Sequence, residues 1–507
     1  MAVAAVATLL AAPWGSGPAA AAPAPTPTPT ASATPKPTPT PTASATPKPT
    51  PTPTASATLA APAPAPLAVT VSPGEEAIAA KAATSKDAIG AATGPVTCGL
   101  VADGCSQPFE RGTILWTSAT GAHWTRGAIR DAWTRTSAQD GFLAYPTSDE
   151  FCGLVQSGCG QHFQGGEVYW SPGTGAHWTR GSILAKWRGQ GWENGFLGYP
   201  TSNEFCGLAG GGCGQHFQHG EIYWSPASGA HWSRGSIVES WRGQGWENGS
   251  LGYPTSDEFC GLTQSGCGQH FQHGEIYWTP NTGAHWSRGS IVESWRGQGW
   301  ENGPLGYPVS DEFCGLVRGG CGQHFQRGEI YWSPGTGAHV IRGAIVEAWR
   351  AAGWENGRYG YPLGTEYWSA GKPTQRFEGG FLTYGVDGRC LTGRTMCASK
   401  NDRALRWMIN GEIISTYDAR FGCSTSPTDN GSFTVYWKSY DHTSTLYNTW
   451  MPRAMFYNGG EAVHYSPDFA ARGYAGCSHG CVNLRDWEGI NWLYGQVQIG
   501  DKVVVYY

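Results

Sequence analysis

From about residue 98 the chain repeats one pattern of apolar and polar positions every 54 residues. The third copy reads "GQHFQHGEIYWSPASGAHWSRGSIVESWRGQGW" over residues 214–246. Within it "HFQ", "EIYWS" and "AHWSR" alternate large and polar side chains with the period of a half-buried strand, and Gly-bearing turns separate them. Ile237, Val238 and Trp241 then fall on one face of a helix. The unit therefore reads as β-β-β-α. A sixth copy is degenerate: it keeps "QRFEGGFLTY", and Trp368 stands where the next cysteine pair is due. A fixed period of this size means one supersecondary unit stacked on itself, either as an open array or closed into a ring. The predicted fold over 98–388 is an α+β repeat array of about five and a half units. From about residue 389 the texture changes. "ALRWMINGEIISTYDAR", "GSFTVYWKS", "AMFYNGGEAVHYS" and "DKVVVYY" read as strands, and "LRDWEGINWLYGQV" as a helix. A mainly β domain over 389–507 follows.

Upstream the pattern disappears. Residues 1–22 hold a short apolar run followed by small residues with A-x-A steps, which resembles a secretory signal. Residues 23–97 are mostly Pro, Thr and Ala, with "ASATPKPTPTPT" recurring every 12 residues, and are expected to form a disordered, extended spacer. A short helix is predicted near its end, around "PGEEAIAAKAA". No apolar run reaches the length of a membrane span. The net charge is -5 and no basic block occurs, which speaks against a nucleic-acid partner.

The chain has 15 cysteines. Ten lie in five steps of seven residues: Cys98/Cys105, Cys152/Cys159, Cys206/Cys213, Cys260/Cys267 and Cys314/Cys321. Pairing at a fixed spacing indicates disulfides made in an oxidising compartment, hence export. The rival reading adds His162 and its equivalents to make zinc sites, but such sites want tighter cysteine spacing and four N/S ligands. "GAHW[ST]RG" recurs too, with His177, Trp178 and Arg180 in the second unit. In the fifth unit Val340 replaces the Trp between His339 and Arg342. An apolar exchange suits a packing position, which leaves His and Arg as the ligand candidates. Each unit also carries "LGYP" or a close variant (197–200, 251–254, 305–308), which resembles the LGFP repeat. That resemblance implies attachment to a component of the cell envelope.

The last domain holds the candidate chemistry, in "YAGCSHGCVNLRDW", residues 474–487. Cys481 precedes a helix-like segment and follows His479, and both features lower a thiol pKa, so a thiolate near neutral pH is expected. His464 lies upstream on a predicted strand. Cysteine plus histidine is the minimal apparatus of covalent acyl transfer, and amides at Gly480–Cys481 offer an oxyanion hole. His464 followed by Ser478-His479-Gly480-Cys481-Val482-Asn483 resembles the L,D-transpeptidase (YkuD) signature, and "SPTDNGSFTV" and "MPRAMFYNGGEAVHYS" resemble two further segments of that family.

The resemblance implies Cys481 as nucleophile and His464 as general base and then acid. It implies the Tyr465 carbonyl as the group orienting His464, and Ser478, His479 and Asn483 as support for the nucleophile loop. His442 is expected to line the cleft. The implied reaction releases D-alanine from a peptidoglycan tetrapeptide stem through a thioester and ends in a 3→3 cross-link, with no metal or organic cofactor. Expected partners are donor and acceptor stem peptides and an envelope component; the expected location is outside the cell, at the wall. The same Cys/His pair also suits an L,D-carboxypeptidase or a cross-link hydrolase, and the array alone suits a non-catalytic wall-binding protein. Cys390 and Cys397 repeat the seven-residue step and are expected to pair. The resemblance brings the loops of Cys423 and Cys477 together and so implies a Cys423–Cys477 disulfide, with Cys477–Cys481 as the competing pair.

Overall fold

The computed structural model describes residues 71–507. The expectations for residues 1–22 and for the spacer up to residue 70 lie outside the described residues. Five successive units each form a four-stranded antiparallel sheet followed by a helix. In the fourth unit the strands are Phe259–Leu262, Gly266–Phe271, Gly274–Thr279 and Gly283–Arg288, and the helix is Gly289–Gly297. The unit is thus β-β-β-β-α, one strand more than the pattern suggested. The extra strand, "FCGL", is too short and too glycine-rich to show a period. It is pinned by its cysteine, because Cys260 stands directly opposite Cys267 in the ladder and is bonded to it. The same bond closes the other four units, as Cys98–Cys105, Cys152–Cys159, Cys206–Cys213 and Cys314–Cys321. These sulfurs are therefore not free to bind zinc, and His162 instead faces Glu167 at 2.8 Å.

A four-residue strand and three short neighbours cannot bury a core by themselves. Each sheet is covered by the helix of the unit before it. Ile237, Val238 and Trp241 pack onto Phe271, Ile276 and Trp286 of the following sheet, and Trp241 has no exposed surface. Trp124, Trp232, Trp286 and Val340 of the "GAHW" position are all buried.

"LGYP" is the clamp between units. Leu251 is fully buried. The Gly252 carbonyl accepts from the Trp241 indole at 3.0 Å, and the Tyr253 hydroxyl donates to Ala209 O at 2.7 Å. Gly252 has φ +70, and a Cβ there would stand 2.5 Å from the Gln272 amide oxygen, so glycine is required.

The ends of the array solve the problem of missing neighbours. Among the described residues no unit precedes the first sheet, and helix Pro73–Thr84 takes the covering role. A capping box of Ser72 and Glu75 starts it, and Ile78 and Ile89 pack against Ile114 and Trp124. Residues 71–97 are therefore folded, which corrects their assignment to a spacer.

The same helix presses on Cys105, whose expected bond to Cys98 is present. Cys105 is a core residue, 2% exposed and packed with Ile78, Phe109, Ile114 and Trp124, as Cys267 and Cys321 are in the cores of their own units. The cause is the close approach of the helix: a Cβ on Gly74 would stand 2.4 Å from Cys105 Sγ. Its sulfur both closes the bond to Cys98 and fills the space beneath the helix.

At the other end, strands Tyr367–Ser369, Lys372–Phe377 and Gly380–Thr383 form a reduced sheet. It passes directly to the last domain: Phe381 N donates to Asn410 O at 2.8 Å and Thr383 Oγ1 to Gly411 O at 2.9 Å.

The last domain is built on nine strands: β1 Arg394–Ser399, β2 Ala404–Ile409, β3 Glu412–Arg420, β4 Gly431–Thr434, β5 Trp437–Ser439, β6 Ala454–Asn458, β7 Glu461–Tyr465, β8 Val482–Leu484 and β9 Lys502–Tyr506. Their order is β4-β9-β1-β2-β3-β8-β7-β6-β5. Helices α1 Pro467–Arg472 and α2 Trp487–Gln496 flank β8 in sequence. The core gathers Met396, Leu405, Trp407, Val463, Leu484, Leu493 and Val503. Disulfides join Cys390 to Cys397, both fully buried, and Cys423 to Cys477. Among the described residues no helix is long and apolar enough to cross a membrane.

This packing separates two tryptophans sharply. Trp295 is fully buried under the next unit, whereas Trp368 is 70% exposed. Trp295→Ala is expected to lower the unfolding free energy in chemical denaturation by about 3–5 kcal/mol, and Trp368→Ala to change it by less than about 0.5 kcal/mol.

Candidate active site

Two short strands place the candidate residues. β7 and β8 run parallel in the register Val463↔Val482, His464↔Asn483, Tyr465↔Leu484. β3 lies on the other side of β8, antiparallel, with Arg420 opposite Asn483. Arg420, Asn483 and His464 thus form one row across three strands, and all three are buried.

Their hydrogen bonds run in one direction. A carbonyl oxygen only accepts, so His464 Nδ1 donates to Tyr465 O at 2.6 Å and Nε2 carries the lone pair. Asn483 Nδ2 donates to that Nε2 at 2.8 Å. Arg420 Nη2 donates to Asn483 Oδ1 at 3.3 Å, which dictates which end of the amide faces His464.

The connection from β7 to β8 carries the loop of Cys481, the candidate nucleophile. Ser466 caps α1, its hydroxyl accepting from Phe469 N at 3.2 Å. After α1 the chain is tied back twice, by the Cys423–Cys477 bond and by Ser478 N donating to Phe421 O at 3.0 Å. The hydroxyls of Ser478 and Thr428 both donate to Cys481 O. Gly480 turns the chain with φ +105.

Cys481 is the one free cysteine among the described residues. It is half-buried, packed against Met451, Ala454, Phe456 and Ala462, with Sγ 3.9 Å from Gly460 O. His479 is exposed and stacks on Tyr447, ring centroids 4.4 Å apart. His442 packs edge-on to Phe456 at 5.0 Å, which sets it beside the apolar wall behind the cysteine.

This burial reverses one expectation. Burial pushes the Cys481 thiol up to about 11; the Glu461 charge adds to this and a hydrogen bond from the Ala462 backbone opposes it. Burial also pushes His464 down to about 4, assisted by His442 and Arg420 and opposed by the bond to Tyr465 O. The helix after Cys481 starts only at Trp487, beyond β8, so its dipole lies too far along the chain to lower the thiol. Burial thus favours the neutral form of both the Cys481 thiol and the His464 imidazole.

Residues 393–505 match the family model described as the L,D-transpeptidase catalytic domain. Residues 89–141, 143–195, 197–249, 251–303 and 305–357 match the LGFP repeat. The last domain belongs to the L,D-transpeptidase family, behind five LGFP repeats.

A curated relative, L,D-transpeptidase 2 of Mycobacterium tuberculosis, is 26% identical over 196 residues, 35% of this chain and 41% of the relative. The chain therefore spans less than half of that relative's length. An L,D-transpeptidase structure from Stackebrandtia nassauensis is 27% identical, covering 24% of this chain and 62% of the other, with a TM-score of 0.23. One from Xylanimonas cellulosilytica is 27% identical over 23% and 62%, with a TM-score of 0.22.

Two residues of this L,D-transpeptidase domain escaped the sequence reading. Arg420 ends a strand in "YDAR", with no motif to mark it. Glu461 borders the loop: a Cβ on Gly480 would lie 3.3 Å from its Oε1, which accepts from Asp429 N at 2.9 Å. Only the paired strands bring either one to Cys481's neighbourhood.

The burial of His464 sets a pH dependence. The folded domain keeps it neutral down to about pH 4, whereas an unfolded histidine binds a proton from about pH 6.5. Between these values the unfolded chain holds more protons, so stability falls on acidification, by up to roughly 3 kcal/mol from this group. In His464→Gln the loss of unfolding free energy between about pH 7 and pH 4 should shrink by that amount; equal losses in the two proteins would show that His464 is not held neutral.

Proposed function

We propose that the chain is an exported peptidoglycan L,D-transpeptidase that forms 3→3 cross-links through a thioester on Cys481. The observation that carries the reading is the one free cysteine among the described residues, on the crossover that leaves the strand of His464 and rejoins the sheet beside it, together with a histidine whose Nε2 holds the lone pair. Cys481 Sγ attacks the carbonyl of the third stem residue, and its proton goes to His464 Nε2. The amides of Gly480 and Cys481 take up the charge on the carbonyl oxygen. The C–N bond to the terminal D-alanine breaks, and the leaving amine takes the proton from His464. An amine of a neighbouring stem then attacks the thioester and gives its proton to His464, which returns it to Sγ. Each step conserves protons between His464, Cys481 and the two amines, so no metal or organic cofactor is called for.

Several features support placement outside the cell. Seven disulfides suit an oxidising compartment. The N-terminal segment resembles a secretory signal and the Pro/Thr segment a spacer, with the repeats in the role of an envelope-attachment array. The direct bonds between Gly380–Thr383 and the last domain suit an array that positions the catalytic domain rather than merely tethering it.

The full chain, disulfides intact, incubated with a disaccharide-tetrapeptide should yield a product equal to two substrates less one D-alanine by mass spectrometry, absent with Cys481→Ala. Trimmed tripeptide alone would make the enzyme an L,D-carboxypeptidase. Untouched substrate would return the function to the repeats as a wall-binding array.

A further inference from the structure

The His464 lone pair that must receive the thiol proton is already occupied. Nε2 has one lone pair in the ring plane, and Asn483 Nδ2–H sits on it at 2.8 Å. A proton from Cys481 and the Asn483 hydrogen bond compete for the same electrons. Asn483 can serve as this cap only with its amide in one orientation. Flipped, its Oδ1 would face Nε2 and favour a protonated imidazole instead.

Arg420 decides the orientation. Its guanidinium is buried, with 5% of its side chain exposed. Nη1 donates to Gly473 O at 3.2 Å. Nη2 faces Asp468 Oδ2 at 2.7 Å, Asn483 Oδ1 at 3.3 Å and Ser466 Oγ at 3.5 Å. A donor beside Oδ1 leaves only Nδ2–H for His464. Tying α1 to β3 requires only the bonds to Asp468 and Gly473; the bond to Asn483 is additional, and it reaches the catalytic histidine.

We propose that Arg420 is a positioning residue that locks the Asn483 amide as a cap on His464 Nε2, so that this nitrogen takes up the Cys481 proton only when the cap is released. Charged and titratable groups facing the pair are Arg420 from β3, His442 from the loop after β5, and Glu461 and Tyr457 beside Cys481. None of the latter three contacts the Asn483 amide among the described hydrogen bonds. The proposal concerns the resting thiol and does not depend on which substrate is turned over.

The test is the rate of Cys481 alkylation by iodoacetamide, followed on the intact full chain by mass. The other fourteen cysteines are in disulfides, so the reaction reports one thiol. Arg420→Met frees the amide, Asn483→Ala removes the cap, and Arg420→Lys keeps one donor. At neutral pH Arg420→Met and Asn483→Ala should each react about tenfold faster than wild type or more, one pKa unit being tenfold in thiolate. Arg420→Lys should fall between. In the Asn483→Ala background Arg420→Met should add nothing, because it acts through Asn483. Thermal unfolding is recorded for every variant; if Arg420→Met melts below the assay temperature, Arg420→Lys takes its place in the cycle. An unchanged or slower rate without Arg420, or a gain that persists undiminished in the Asn483→Ala background, would overturn the proposal.

Discussion

The catalytic domain depends on a parallel pairing of two very short strands. β7 and β8 share only three register pairs, yet these set His464 beside Asn483 and fix where the Cys481 loop returns to the sheet. Parallel strands cannot be joined by a tight turn and need a crossover. Here the crossover holds α1, the Cys477 brace, the Ser478–Gly480 turn and Cys481. The disulfide to Cys423 and the bond from Ser478 to Phe421 O keep it from drifting away from β3. The same pairing buries the histidine. Taking a titratable group out of water disfavours its charged form, which is what pushes His464 toward neutrality.

The array obeys a different constraint with a similar outcome. A small sheet has one apolar face and no room for a core, so it borrows the helix of its neighbour. Each interface then depends only on the next, as in other stacked repeats. Both ends need special treatment. The helix Pro73–Thr84 covers the first sheet, pressing on Cys105, and the reduced sheet ending at Thr383 is tied by main-chain bonds to the catalytic domain. The repeats and the enzyme are joined by packed structure, with no linker between them.

Much of this organisation is legible in the amino-acid sequence, because period and composition are one-dimensional. The 54-residue recurrence, the apolar helix face and the strands of the last domain all appear as spacing. The strand "FCGL" does not, because four residues with a central glycine carry no period. The helix Pro73–Thr84 is visible as the helix-like stretch "PGEEAIAAKAA", but its task of closing the array exists only in three dimensions. Local signals also misled. A cysteine following His479 and near a helix-like stretch reads as an activated thiol, but the apolar wall of Met451, Phe456 and Ala462 outweighs both. Arg420 was invisible for the opposite reason: its importance comes wholly from lying across β8 from His464, some 44 positions along the chain.

The central claim is that Cys481 carries the acyl group. The direct measurement is intact mass of the full chain, quenched in acid shortly after mixing with a tetrapeptide stem, followed by peptide mapping. The account predicts one added stem less D-alanine, located on Cys481 and absent in Cys481→Ala. Turnover without any such adduct, or an adduct on another residue, would contradict it.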